Sequence, residues 1–188
     1  MSTSLQAPGA GLPRIERFVA NRMLRLAAAA MKRSQLAKQM EQESAKIIAL
    51  CDGLTADQGK QRVLIDRIVG IEDSSRDWSI YMTVDHLCIV NPAIEAIIES
   101  LAGGKPFDQV VRIEDVKPRV DAGPDSVDRF EQSVGQFQRT VQQIDSLATG
   151  KRHIHPWFGA LNAKQWFTLA SVHTEIHRKQ IQKIRQQL

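Results

Sequence analysis

The chain contains five histidines, His86, His153, His155, His173 and His177, and two of them are spaced to share one ion. His173-Thr174-Glu175-Ile176-His177 places imidazoles at i and i+4, one turn apart on one helix face, as in paired helical zinc ligands. Spacing of this kind arises by chance in many helices, so the face decides. Steps of three and four from His173 pass through Trp166, Leu169, Ala170, Ile176, Gln180 and Ile184, while Arg178, Lys179, Gln182 and Lys183 fall opposite, so both imidazoles point inward. His86 repeats the pattern, with Met82, Ile89, Val90, Ala93 and Ile97 as its helical neighbours. A single inward histidine is more often a hydrogen-bonded core residue than a ligand. Three in one helical domain would each need a buried partner, and one shared divalent ion satisfies all three. Three protein nitrogens leave a fourth position for water, the pattern of a catalytic site, and three imidazoles suit zinc, nickel, iron or cobalt.

Other polar residues are weaker candidates. Glu43 interrupts the inward row Leu36, Met40, Ile47, Leu50 and Leu54. It could orient a ligand imidazole or act as a general base on bound water; the ordinary alternative is a rim carboxylate that reaches outward. Asp85 adjoins His86 but points about 100° away around the helix. His155 precedes Pro156, which keeps it extended, and is read as a structural turn residue rather than a fourth ligand. His153 is read as solvated, and Trp157, Phe158, Trp166 and Phe167 as core packing.

The elements that must hold these residues are helical. Met1 to Pro13, rich in Ser, Gly, Ala and Pro, reads as a floppy lead-in. Residues 14–51 lack Pro and Gly and are long for one straight helix, which predicts a bend or two abutting helices. A connection with a short helix follows over 55–77. A second helix, capped by Asp77 or Ser79, runs to Leu101, is kinked by Pro92 and is stopped by Gly103-Gly104. Residues 103–124, with three prolines, form a loop long enough to cross the molecule and cover a site. Val127, Phe130, Val134, Phe137, Val141, Ile144 and Ala148 make a heptad seam that predicts a third helix over 125–148. The final helix is capped by Asn162. No segment shows convincing strand alternation, so the expected fold is all-α: a four-helix bundle over 35–188 with a helical extension over 1–34.

Composition agrees and narrows the function classes. With 188 residues, 43% of them hydrophobic and 24% charged, the chain suits one packed domain and is not a disordered one. No apolar run approaches the length of about 18 residues that a membrane span needs. Two cysteines, Cys51 and Cys88, are too few for a disulfide framework, and a reducing cytoplasm is the expected compartment. The net charge of +4 is uneven: residues 1–50 carry eight basic and three acidic side chains, 51–150 ten and seventeen, and 151–188 seven and one. Basic ends flanking an acidic middle can cancel in space, and Phe18 is the only aromatic before residue 78, so nucleic acid is not the expected partner. The Arg-rich stretch 14–34 shares its composition with transit peptides, yet its helical pattern continues past Gln35, so it is read as an amphipathic helix of the mature chain. It could also meet an anionic surface or an acidic partner. The positive stretch around His173 and His177 favours anionic substrates.

Val84-Asp85-His86-Leu87, and above all His155-Pro156-Trp157-Phe158-Gly159-Ala160-Leu161 with Trp166-Phe167 and His173 to Ile181, resemble the DinB-like superfamily. That group of small helical proteins includes thiol-dependent S-transferases and the mycothiol-dependent maleylpyruvate isomerase. The resemblance covers about residues 35–188. It implies an up-down-down-up four-helix bundle, often a homodimer, with a divalent metal on one histidine of the second helix and two of the fourth, which here are His86, His173 and His177. It further implies a metal-dependent enzyme that activates water for hydrolysis, or a low-molecular-weight thiol for S-transfer or isomerisation of a small molecule. The alternative is a non-catalytic binding or stress-response module whose metal is structural or absent.

Overall fold

A computed structural model describes residues 11–188, so most of the lead-in expected over 1–13 lies outside it. The described part of that lead-in is not loose. Leu12 is buried in the main apolar cluster, and the Gly11 amide donates to Glu72.

The described chain is mostly helical: α1 (Arg14–Ala30), α2 (Arg33–Cys51), α3 (Ala56–Lys60), α4 (Ile80–Ala102), α5 (Asp125–Gln143) and α6 (Ala163–Arg185). The expected interruption of residues 14–51 falls at Met31-Lys32, without Gly or Pro. Lys32 is extended, and its amide donates to the Gln35 side chain at 2.7 Å, which starts a new helix. The predicted caps are present. Ser79 Oγ accepts from the Met82 amide at 3.1 Å, and Asn162 Oδ1 from the Gln165 amide at 2.9 Å. α5 stops at Gln143 rather than at residue 148. The Arg33 guanidinium donates to the carbonyls of Val141 and Ile144, so α2 itself caps α5, and the extended Ile144 lets Leu147 turn into the core.

Two small antiparallel sheets correct the expectation of no strands: β1 (Val63–Leu64) pairs with β2 (Asp77–Trp78), and β3 (His153–His155) with β4 (Gly159–Leu161). β3 and β4 form a hairpin across Pro156-Trp157-Phe158, with Gly159 at φ +69° supplying the turn.

α2 packs on α6, α6 on α4, α4 on α5 and α5 on α2, closing a ring. Its interior holds Leu36, Met40, Ile47, Leu87, Phe137 and Phe167, all fully buried, each contributing about 1.5–3 kcal/mol relative to exposure. α1 lies outside the ring against α6. Polar ties hold both its ends. Glu16 accepts from the Gly70 amide (2.7 Å) and pairs with Arg67, while Asn21 and Arg25 donate to the Phe158 carbonyl. No helix of the described residues is long and apolar enough to cross a membrane.

Candidate metal centre

The second turn of α4 carries His86 and the middle of α6 carries His173 and His177; where these helices pack, the three imidazoles meet. His173 Nε2 lies 3.3 Å from His86 Nε2 and 3.0 Å from His177 Nε2, and one ligand atom from each falls within 4.8 Å of the others. Nitrogens held tetrahedrally at about 2.0–2.1 Å from zinc are separated by about 3.3 Å, close to the two separations about His173.

The outer ring nitrogens fix the tautomers of two of the three. His86 Nδ1 is 2.5 Å from the Val116 carbonyl, which can only accept, so Nδ1 carries the proton. Gln180 donates its amide to the Ser75 carbonyl at 2.8 Å, which turns its oxygen toward His177 Nδ1 at 2.7 Å, so that nitrogen too is protonated. The Nε2 atoms of His86 and His177 are therefore bare lone pairs aimed at His173. A neutral His173 has one proton and satisfies at most one of them, and its own buried Nδ1 has no partner. One cation between the three Nε2 atoms would satisfy all three lone pairs, so the donor set fits a divalent metal.

Burial keeps these rings in the ligating, uncharged form. It pushes His86 down to about 4 and His177 down to about 3, and it lowers His173 far below the ordinary imidazole value, with the neighbouring imidazoles adding to the shift. Trp78 packs against the cluster, 5.2 Å between ring centroids from His86 and stacked 6.3 Å from His177.

The cluster faces a cavity of about 930 Å³. Val90, Ile94 and Ile97 of α4, Leu169 and Ile176 of α6, and Ala20, Leu24 and Ala27 of α1 make its walls largely apolar. The loop over 103–124 crosses α4 as expected: Val111, Ile113 and Val116 close one side of the cavity. Asp85 pins that loop. Its carboxylate accepts from the Arg119 amide (2.8 Å) and guanidinium (3.1 Å) and from Arg129 (2.5 Å). Burial alone would raise its pKa; the hydrogen bonds from Arg129 and Arg119 hold it below the usual value.

The remaining candidates occupy other places. Glu43 is buried, but its two oxygens bind Lys46 (2.6 Å) and Arg178 (2.7 Å), and it does not line the cavity. His155 lines the cavity, accepts from the Trp157 amide at 3.1 Å and stacks on Phe158, 4.8 Å between centroids. Burial pushes it down to about 4. His153 is not solvated. Alternate residues of a strand share a face, so His153 and His155 both turn toward Trp166 while Ile154 is left 70% exposed. None of the basic side chains of α6 lines the cavity; Arg178 pairs with Glu43, Lys179 with Glu175, and Arg185 donates to the last carbonyls of α2. Charge on that helix therefore gives no preference for anionic substrates.

Two supporting groups were not anticipated as such, the Val116 carbonyl and Gln180. The first carries no side-chain signal. The second was visible as a lone amide one turn beyond His177 on an apolar stripe. Comparison with family models, with curated proteins and with solved structures returns no match for this chain.

Proposed function

We propose that the chain is a DinB-like, up-down-down-up four-helix bundle in which His86, His173 and His177 hold a divalent metal ion, and that it is an enzyme for a small, largely apolar molecule. The supporting observation is the pair of bare Nε2 lone pairs, on His86 and His177, that converge on His173 with one proton among them. The closed sequence of helix contacts, α2 to α6 to α4 to α5, is the one such a bundle would have.

When bound, the cation supplies Lewis acidity that makes water or a low-molecular-weight thiol nucleophilic near neutral pH. The chain's residues do the rest. Val116 and Gln180 orient two of the imidazoles, Trp78 packs against the rings of His86 and His177, and Val90, Ile94 and Ile113 give the cavity beside them an apolar wall. Zinc, nickel, iron and cobalt all suit three imidazoles. The resemblance also implies a homodimer, which sedimentation equilibrium of the full chain measures.

Metal analysis of protein purified without an affinity tag tests the reading: one ion per chain, lost in His86→Ala and in His173→Ala. Metal-free protein whose thermal stability is the same in both variants as in the parent would end it. Assays pairing thiols with electrophiles, beside ester and amide hydrolysis, separate an enzyme from a module with a structural ion.

A further inference from the structure

α1 is apolar on two faces, and only one is buried. Leu24 and Ala28 are buried against the rest of the molecule. On the other side Ile15, Phe18, Val19, Met23 and Leu26 are 81%, 62%, 51%, 61% and 64% exposed, and at about 100° per residue they fall in one stripe along the helix. Large apolar side chains on the surface in such a row mark a binding face.

The charges beside the stripe say what kind. Arg22 falls within it and Arg14 and Arg25 along its edge. With Arg17, Phe18 and Trp157 these arginines line a surface cleft of about 470 Å³. None of the four has a carboxylate partner among the described residues: Arg22 lies over the Phe18 ring at 5.2 Å, and Arg25 bonds to Asn21 and to backbone carbonyls. The single acid of the helix, Glu16, is taken up by Arg67 and the Gly70 amide. A second copy of this chain would be a poor occupant, because a two-fold contact brings each arginine edge against its own copy. A free phosphate would fill the cleft and leave the apolar stripe in water. An anionic lipid surface meets both, with headgroups for the guanidiniums and the acyl boundary for the stripe.

The cavity opens on the same face. Ile15, Val19 and Met23 line it while remaining exposed, and Val69 across the opening is 70% exposed. We propose that α1 docks the protein on an anionic membrane surface, with the mouth of the cavity turned toward the acyl chains so that an apolar molecule enters from the bilayer. The docking does not depend on a metal at the histidines.

The test is co-sedimentation of the full chain with vesicles of phosphatidylcholine, with and without phosphatidylserine. Binding is expected only with phosphatidylserine and should weaken as salt rises. The double variant Arg14→Ala/Arg22→Ala should bind about 25-fold more weakly, at about fivefold per arginine near such a surface. Phe18→Asp/Leu26→Asp should not bind, while melting like the parent since both positions face solvent. His86→Ala should bind as the parent does, which separates docking from the metal reading. Absence of binding to phosphatidylserine vesicles, equal binding to both vesicles, or unchanged binding by Phe18→Asp/Leu26→Asp would overturn the proposal. So would a parent dimer that Phe18→Asp splits, which would make a second copy the occupant.

Discussion

Gln180 offers a sharp test of the three-histidine centre, because it touches no ion and works only through His177. Its oxygen holds the Nδ1 proton of His177 at 2.7 Å, and its amide is held in turn by the Ser75 carbonyl. Gln180→Leu keeps the size and all three imidazoles but frees the ring to rotate. Removing such a partner costs about 10- to 100-fold in metal affinity, or about 1.4–2.7 kcal/mol. Metal at a thousand times its Kd adds about 4 kcal/mol to the folded state, and for a domain of this size each kcal/mol raises Tm by about 2–4 °C. The parent should therefore melt about 8–16 °C higher with saturating zinc than with a chelator. Gln180→Leu should lose about 3–11 °C of that increment at the same free zinc concentration. Differential scanning calorimetry reads both. The increment is the quantity to compare, since the variant also loses its bond to Ser75 and starts from a lower Tm. A parent that melts alike in zinc and chelator refutes the ion; an unchanged increment in Gln180→Leu refutes the orienting role.

Three further outcomes follow from other groups in the fold. Glu43→Gln should cost about 2 kcal/mol in chemical denaturation, the worth of charged hydrogen bonds to Arg178 and Lys46, with metal content unaltered. Burial alone would raise the Glu43 pKa, but those two partners hold it below the ordinary glutamate value. Its stabilisation is thus present above that value and lost as pH falls through the lower folded one, so the variant should show a shallower acid limb. Asp85→Asn should speed amide exchange in the loop over 103–124, because Arg119 and Arg129 lose the carboxylate that fixes it; exchange as slow as in the parent would count against the pinning. Burial pushes the thiols of Cys51 and Cys88 up to about 12 and about 11, so neither should be alkylated in the native protein at neutral pH, and prompt labelling seen by mass spectrometry would contradict their packing.

The three clustered histidines were legible because each sits on a stripe that is otherwise apolar, and a helix converts spacing into direction. Ser79 and Asn162 were legible for a similar reason, since a cap needs only its own next turn. What escaped depends on contacts between distant segments. The end of α5 is set by Arg33 from another helix, so the heptad seam ran on past Gln143 in the sequence. The break at Met31-Lys32 turns on a single Gln35 side chain rather than on Gly or Pro. β1 and β2 are two residues each and joined across a long connection, and β3 is only three residues, too short for alternation to register. His153 was placed in solvent because its half-buried surroundings, Phe107 and Trp166, come from elsewhere in the chain. The positive charge of α6 was counted correctly but pointed at the wrong neighbours: Glu43, Glu175 and the end of α2 take it.

The bond from His86 to the Val116 carbonyl joins the three-histidine cluster to the cover of the cavity. Two binding events that share one such bond are thermodynamically reciprocal: whatever factor an occupant of the cavity applies to the affinity for the ion, the ion applies to the affinity for that occupant. Under the proposed function, a molecule bulky enough to lift Val116 would take the proton acceptor away from His86 and weaken the hold on a metal ion. The size of the occupant would then be converted into occupancy of the proposed centre, and a titration of metal against a series of graded apolar ligands would read that conversion directly.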